Sequence, residues 1–137
     1  MIIGYDNKYI GDIYRLGMML HDNFDRLYNE ESLNNNVNKS FLYIEDDKLL
    51  GFIHVQDLID ELDIIDIVID PSYRSKGYAS KLLEYVIDYA NNKKIMLEVS
   101  ENNTSAINLY KKYKFVEINR RKGYYNGIDA IIMEKKW

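Results

Sequence analysis

Glu98 is the one charged residue inside the apolar run Ile95-Met96-Leu97-Glu98-Val99. As a strand, this run puts Ile95, Leu97 and Val99 on one face and Met96 with Glu98 on the other. Two readings of the carboxylate follow: a solvent-facing edge position, or a base lining a cleft. The second has a chemical use wherever an amine must lose its proton before it attacks. An α-amino group titrates near ~8 and a lysine near ~10.4, so a base helps both and matters more for lysine. Further on, Asn103 and Tyr110 are seven residues apart. That is two helical turns, roughly 10.5 Å along the axis, so an amide and a phenol share one face. A phenol with a pKa near ~10 can serve as a proton donor. Tyr110 equally fits amphipathic packing beside Leu109 and Tyr113.

A different chemistry is written between Ile69 and Leu83. The apolar run from Ile64 to Ile69 stops at Pro71, the only proline of the chain. A polar turn containing Gly77 then leads into a helical pattern, with Ala79, Leu82, Leu83, Val86 and Ala90 on one face. N–H groups at a helix start have no intrahelical partners, and the helix dipole adds partial positive charge there. Arg74, Lys76 and Lys81 bring formal charge to the same place. Such a turn cradles a phosphate or pyrophosphate. It is not a Walker loop, because Tyr78 follows Gly77 where Lys-Ser/Thr would be needed. It also holds only one of the glycines of a dinucleotide fingerprint. By itself, Arg-x-x-Gly-x-Ala reads equally well as a solvated basic turn.

The absence of cysteine excludes disulfides, thiolate zinc sites and a cysteine nucleophile together. Ser75 and Ser80 lack a nucleophile-elbow context, and His21 and His54 read as ordinary polar or core residues. No side chain is therefore marked as a nucleophile for a covalent intermediate. The acidic series Asp57, Asp60, Glu61, Asp63, Asp66 and Asp70 lacks the spacing and glycine of a calcium loop, so no metal is expected. Glu61, Asp63 or Asp66 could instead line an amine-binding cleft. A net charge of −4 disfavours non-specific nucleic-acid binding and suits cationic substrates. Some of the 13 tyrosines must lie on the surface or in a cleft, because each buried hydroxyl needs a partner. Residues Met1 to Asp6 show neither a basic region nor a long apolar stretch, and no run approaches membrane length. The expectation is a cytoplasmic protein, monomer or homodimer, without nucleic acid or membrane as partner.

The 137 residues suit a single domain over 1–137. Residues Ile2 to Tyr5 read as a short strand, 8 to 21 as an amphipathic helix, and Phe24 to Leu33 as a second, weaker one. Phe41 to Ile44 and Leu49 to Val55 form a hairpin around Asp46-Asp47-Lys48. Leu62 to Ile69 is nearly all apolar, which suggests a central strand. Helix 77 to 91, strand Ile95 to Val99, helix Thr104 to Tyr113 and strands Phe115 to Asn119 and Ile128 to Met133 complete the chain. Asn102 or Asn103 can cap the second of these helices. The order β-α-α-β-β-β-α-β-α-β-β is a mixed α/β domain.

Asp70-Pro71-x-Tyr73-Arg74-x-x-Gly77-x-Ala79-x-x-Leu82-Leu83 resembles the acetyl-CoA-binding segment of the Gcn5-related N-acetyltransferases. Leu97-Glu98-Val99, Asn102-Asn103 and Ala106-Ile107-x-Leu109-Tyr110-x-x-Tyr113-x-Phe115 are similar to that family's second cofactor segment. Arg120-Arg121, Tyr124-Tyr125 and Asp129 to Met133 look like the end of its ribosomal-protein alanine N-acetyltransferase branch. The resemblance covers about residues 40 to 134. It implies a splayed central sheet, acetyl-CoA as co-substrate and a primary-amine acceptor, with a protein or peptide N-terminus favoured. Glu98 would be the base and Tyr110 the acid. Ile67, Val68 and Ile69 would offer backbone groups to the thioester and pantetheine, Arg74, Ser75, Lys76, Gly77, Tyr78, Ala79 and Ser80 would hold the pyrophosphate, and Asn103 would meet the pantetheine arm. Arg120-Arg121 and Tyr124-Tyr125 would form a substrate-gripping loop. The segment Gly123 to Ile128 is shorter than usual for the branch, and Asn23-Phe24 lies where its Pro-Trp is expected. Both departures are on the acceptor side. A small-molecule amine such as a polyamine or aminoglycoside is the alternative acceptor, and a non-catalytic acyl-CoA sensor the alternative class.

Overall fold

The computed structural model describes residues 1–137. Seven strands form one sheet in the order β1-β2-β3-β4-β5-β7-β6. They are β1 Ile2–Gly4, β2 Asn38–Glu45, β3 Lys48–Asp57, β4 Glu61–Ile69, β5 Lys94–Ser100, β6 Phe115–Tyr125 and β7 Ile128–Lys135. All neighbours are antiparallel except β4 and β5, which the crossover helix makes parallel. Helices α1 Ile10–Gly17, α2 Phe24–Leu27 and α3 Glu30–Leu33 cover one face; α4 Tyr78–Ala90 and α5 Thr104–Lys112 cover the other.

Alternation along the inner strands feeds two cores. Phe41 and Tyr43 of β2 join Leu82, Leu83 and Val86 of α4, whereas Leu42 and Ile44 join Ile13, Leu16, Phe24 and Leu33 on the other side. A strand buried on both faces shows no polar alternation, which is why β3 and most of β4 read as continuous apolar runs.

The feature that makes a site is the separation of β4 from β5. Their ladder runs only from Glu61–Lys94 to Ile64–Leu97. Beyond it β4 stays on β3 and β5 stays on β7, so the two arms open as a V. At the same level the β3–β4 register slips: His54 faces Asp66 while Val55 faces Ile64. Ile65 is the extra residue, and a bulge of this kind bends its strand and increases its twist. The bulge of β4 therefore lies at Ile65, before the residues expected to meet the thioester. Residues 67 to 69 remain regular partners of β3.

Other elements differ from the sequence reading at their ends. The helix expected over 8 to 21 is a 3-10 turn, Asn7–Tyr9, followed by α1, which stops at Gly17. The Phe24 ring packs where a Gly17 side chain would stand, so the chain must turn back here. Met18, Met19 and Leu20 are left exposed. The second helix is two single turns, α2 and α3, the latter closed by a reciprocal Asn29–Ser32 capping box. The final hairpin is longer than expected. Arg120, Arg121, Tyr124 and Tyr125 lie within edge strand β6, not in a loop. Beyond Phe115 nearly every residue of β6 is exposed, on both faces, so no apolar alternation marks it.

Candidate active site

The open V, the start of α4 and the inner side of α5 enclose a cleft of about 570 Å³. Its walls include Ile67, Val68, Ile69, Arg74, Ser75, Gly77, Tyr78, Ala79, Ser80, Asn103 and Tyr110. Every one of these was expected from the sequence. Lys76 was expected too but is not in the wall: its ammonium sits 5.7 Å from the Tyr73 ring centroid. Leu20, Tyr73, Ser105, Ala106 and Leu109 complete the lining. The last three follow from the helical face of Asn103 and Tyr110; Leu20 carries no sequence signal, because it reaches the cleft only through the turn after α1.

At the start of α4 the backbone is left-handed at Ser75 (φ 62°) and Gly77 (φ 86°). A Cβ on Gly77 would meet nothing within 4 Å, so the demand for glycine is conformational and the space beside it is open. Gly77 is the N-cap and no side chain caps the helix. The first N–H there to find an acceptor in the chain is that of Lys81, on the Gly77 carbonyl at 3.1 Å. The preceding N–H groups stay available, a concave donor set for an anion. Lys48 and Lys81 stand around this mouth, over the rings of Tyr73 and of Tyr43 and Tyr78. Arg74 is turned back, its Nε donating to the Ile69 carbonyl at 3.3 Å.

Along β4, the Asp70 N–H donates to the Leu50 carbonyl at 2.8 Å. Alternation in an antiparallel pair then turns the Val68 backbone toward Phe52 and leaves that of Ile67 and Ile69 on the free edge. Val68 thus cannot supply the backbone donor assigned to it; Ile67 and Ile69 can. Asn103 caps α5, its Oδ1 accepting from the Ala106 N–H at 3.3 Å, so its NH2 end is the group free to face a ligand.

Tyr110 closes the inner end of the cleft. It is 6% exposed, with its ring against Phe115. Burial, helped by the Asp66 carboxylate, pushes its phenol up to about 12. It is a proton donor over the whole working range, as a thiolate-protonating acid must be.

On the other side of the V, a groove of about 320 Å³ is lined by Glu61, Asp63, Ile65, Met96, Glu98 and Arg121, among others. Glu98 is the residue on β5 just past the last β4–β5 rung. Its carboxylate accepts from the Tyr125 hydroxyl at 3.1 Å and lies 3.6 Å from Arg121 Nε. Burial, with the Glu98 charge beside it, pushes the Tyr125 phenol up to about 12. Neighbouring Asp63 is pushed up to about 7 by burial and by the Glu61 carboxylate, and its Oδ1 has no partner. The groove is acidic with Arg121 as its cation, so it suits a positively charged guest.

Arg120, expected to grip substrate, is committed to the fold: it binds Glu117 at 2.8 Å, Glu101 at 2.9 Å and Asp129 at 3.3 Å. Arg121 is the member of that pair that reaches the groove. His54 is a core residue, as expected. It is held between Ser40 and Asn38 at 3.0 Å each, and burial pushes its imidazole down to about 4. His21 is not an isolated surface residue: its Nε2 lies 3.5 Å from Asp66 Oδ1. No group of three or more metal-ligating side chains occurs, and no helix is long and apolar enough to cross a membrane.

A further depression of about 680 Å³ lies between the N-terminal segment and α3, lined by Tyr5, Asp6, Asn7, Asn29, Glu30, Glu31 and Asn34. All of its lining residues but Tyr5 are polar or charged, and it lies apart from the V.

The family model for the acetyltransferase (GNAT) family matches residues 9–115. The ribosomal protein bS18-alanine N-acetyltransferase of Haemophilus ducreyi is 35% identical over 104 residues, 72% of each chain. That of Salmonella typhimurium is 31% identical over 116 residues, 77% of this chain and 78% of the relative. The solved structure of the Escherichia coli ribosomal-protein-S18-alanine N-acetyltransferase superposes with a TM-score of 0.87 at 27% identity, covering 98% of this chain and 92% of the other. A variant of the spermidine N-acetyltransferase SpeG from Vibrio cholerae superposes with a TM-score of 0.80 at 21% identity, covering 98% and 94%, a likeness of fold alone.

Proposed function

The chain belongs to the acetyltransferase (GNAT) family and is an N-acetyltransferase, and on that premise we propose that its acceptor is the α-amine of a protein or peptide N-terminus, acetylated by direct attack on acetyl-CoA. The observation that carries this reading is the V between β4 and β5. It joins a deep cleft ending at Tyr110 to an acidic groove at Glu98, so a thioester and an amine can meet from opposite sides.

The N–H groups at the start of α4 bind the pyrophosphate of CoA, with Lys48 and Lys81 adding charge. The free edge at Ile67 and Ile69 pairs with the pantetheine amides and offers an N–H to the thioester oxygen as it gains charge. Asn103 donates its amide NH2 to the same arm. Glu98 removes a proton from the incoming ammonium, directly or through water. The freed amine attacks the carbonyl, the nitrogen of the adduct loses its second proton to Glu98 once the first has passed to water, the carbon–sulfur bond breaks, and Tyr110 gives its hydroxyl proton to the sulfur, so that one proton is released net. Arg121 and Tyr125 hold the Glu98 carboxylate in place until the amine arrives.

Similarity to the bS18-alanine acetyltransferases supports an N-terminal acceptor. The acidic lining around Glu61, Asp63 and Glu98 also suits a small polycationic amine, which is the second reading. The test is to incubate the protein with acetyl-CoA, a peptide library with free N-termini and a polyamine in competition, and to locate the acetyl group by mass spectrometry. Acetyl on the α-amine of peptides, absent from N-blocked controls, is the expected result. Acetyl only on lysine side chains or only on the polyamine would overturn the acceptor assignment. Binding of CoA without thiol release from any amine would mean a sensor.

A further inference from the structure

Two carboxyl groups of the acidic groove have no part in the transfer as described. Glu61 and Asp63 lie two residues apart on β4, on the same face of the sheet, about 6.6 Å from each other along the strand. Both line the groove that holds Glu98. Asp63 Oδ1 is buried and accepts no hydrogen bond. The other polar groups around the pair are shared or turned elsewhere. Lys94, opposite Glu61 on β5, lies 3.8 Å from Glu61 and 3.9 Å from Glu134. Arg121 stands 3.6 Å from Glu98. Gln56, opposite Asp63 on β3, gives its amide to Asn38 at 3.4 Å. Two carboxyl groups side by side in a partly buried groove do not both stay charged without a cation between them. Without a guest that cation is a proton: burial, and then the Glu61 carboxylate, push Asp63 up to about 7.

Resting on the transfer reading above, we infer that Glu61 and Asp63 bind a second positive charge of the acceptor, about 8 Å from the amine that is acetylated. The spacing comes from the sheet. Asp63 is level with Met96 across the β4–β5 ladder, and Glu98 is two residues beyond Met96 on the same face of β5. Two residues along a strand and one strand across make about 8 Å. With the reacting amine at Glu98, a cationic head at that distance meets Asp63, with Glu61 behind it. Consecutive Cα atoms of a peptide are about 3.8 Å apart, so the long side chain of a lysine or arginine at the second position spans the rest. Ile65 and Met96, also in the lining, cover its aliphatic stem. The ammonium or guanidinium brings charged N–H donors to the carboxyl pair and takes the place of the shared proton. A linear polyamine offers the same chemistry, a second cation at a fixed distance from the first. In the peptide acceptor proposed above, that cation is the side chain of the second residue.

The experiment measures CoA thiol release from acetyl-CoA with alanine-initiated peptides that differ only at the second residue, which is arginine, lysine, glutamine or glutamate. Mass spectrometry locates the acetyl group on the α-amine. Wild type should favour arginine and lysine over glutamine by roughly ten-fold in kcat/KM, the size of one hydrogen bond between charged groups, mostly through KM. Glutamate should be the poorest. Asp63→Asn should bring the arginine-to-glutamine ratio close to one, and Glu61→Gln should reduce it. A variant that has only lost structure would slow all four peptides alike and keep the ratio. No preference for a cationic second residue in wild type, or an unchanged ratio in both variants, would overturn the inference and leave the N-terminal acceptor standing. The other arm compares two alkyl amines of equal length, one carrying a second terminal amine. Preference for the diamine, lost in the same variants, with no peptide acetylated, would keep the charge-reading pair and remove the N-terminal acceptor.

Discussion

At the residue scale, the proposed transfer has Glu98 and Tyr110 act on opposite partners of one step. Glu98 sits where β5 loses β4 as a neighbour, and Tyr110 is buried at the end of the cleft. General acids and bases typically contribute ~10²–10⁴-fold each, about 3–5 kcal/mol of barrier at ~1.36 kcal/mol per decade. Glu98→Gln should therefore lower kcat strongly at neutral pH and less at high pH, where the amine deprotonates unaided. Tyr110→Phe should lower kcat at every pH with CoA affinity nearly preserved, since only a hydroxyl is removed. The measurement is kcat against pH for wild type and both variants, with CoA binding in parallel. Full kcat in Tyr110→Phe would make the tyrosine packing and water the acid. Full kcat in Glu98→Gln across the range would move the base to Glu61 or Asp66.

At the element scale, the proposed transfer makes the strand–turn–helix from β4 through Gly77 to α4 the binding device for the CoA anion. Its donors are backbone groups, so side-chain truncation around it should matter less than a change of backbone. Gly77 adopts φ 86°, where an L side chain is strained although space is free. Left-handed backbone costs a non-glycine residue about 1–2 kcal/mol, most of all a β-branched one. Gly77→Val should weaken CoA binding by roughly ten-fold or more, or about 1.4 kcal/mol and upward, with the circular dichroism spectrum of wild type. Titration calorimetry with CoA decides it; unchanged affinity would place the pyrophosphate elsewhere. Here the local pattern, a proline stop followed by a glycine and an apolar helical stripe, was enough to find the element. The neighbouring bulge was not legible in the same way. Ile65 looks like any other residue of an apolar strand, and only pairing with β3 reveals that it is extra.

At the scale of the whole molecule, burial of His54 ties stability to pH. Its imidazole falls from 6.5 to about 4 because the folded core resists the charge. Between those values the unfolded chain binds the extra proton and the fold does not, so stability rises with pH through this window and is lost as pH falls. The contribution is about 3 kcal/mol in full, and roughly 2 kcal/mol should disappear between pH 7 and pH 5. Urea unfolding of wild type and His54→Gln at both pH values checks this. The variant should be less stable at pH 7, having lost part of the Ser40–His54–Asn38 chain, but should lose markedly less on acidification. Equal acid sensitivity in the two would show that His54 does not carry the effect.

The sequence by itself determined the elements and the chemistry that belongs to single segments. Period and punctuation placed β4, α4, β5 and α5 nearly to the residue, because each buries a stripe whose spacing its own backbone sets. Similarity of motif then picked out the cleft lining and the Glu98–Tyr110 pair. Only the tertiary structure decided what depends on residues far apart in the chain. It committed Arg120 to three carboxylates and left Arg121 to Glu98. It faced the Val68 backbone toward β3 and bent β4 at Ile65. It brought His21 to Asp66, two residues with nothing in their local sequence to join them. Hydrogen-bond partners and burial are properties of packed neighbours, whereas periodicity is a property of one strand or helix. That is why the segment-level chemistry could be read along the chain and the pairings could not.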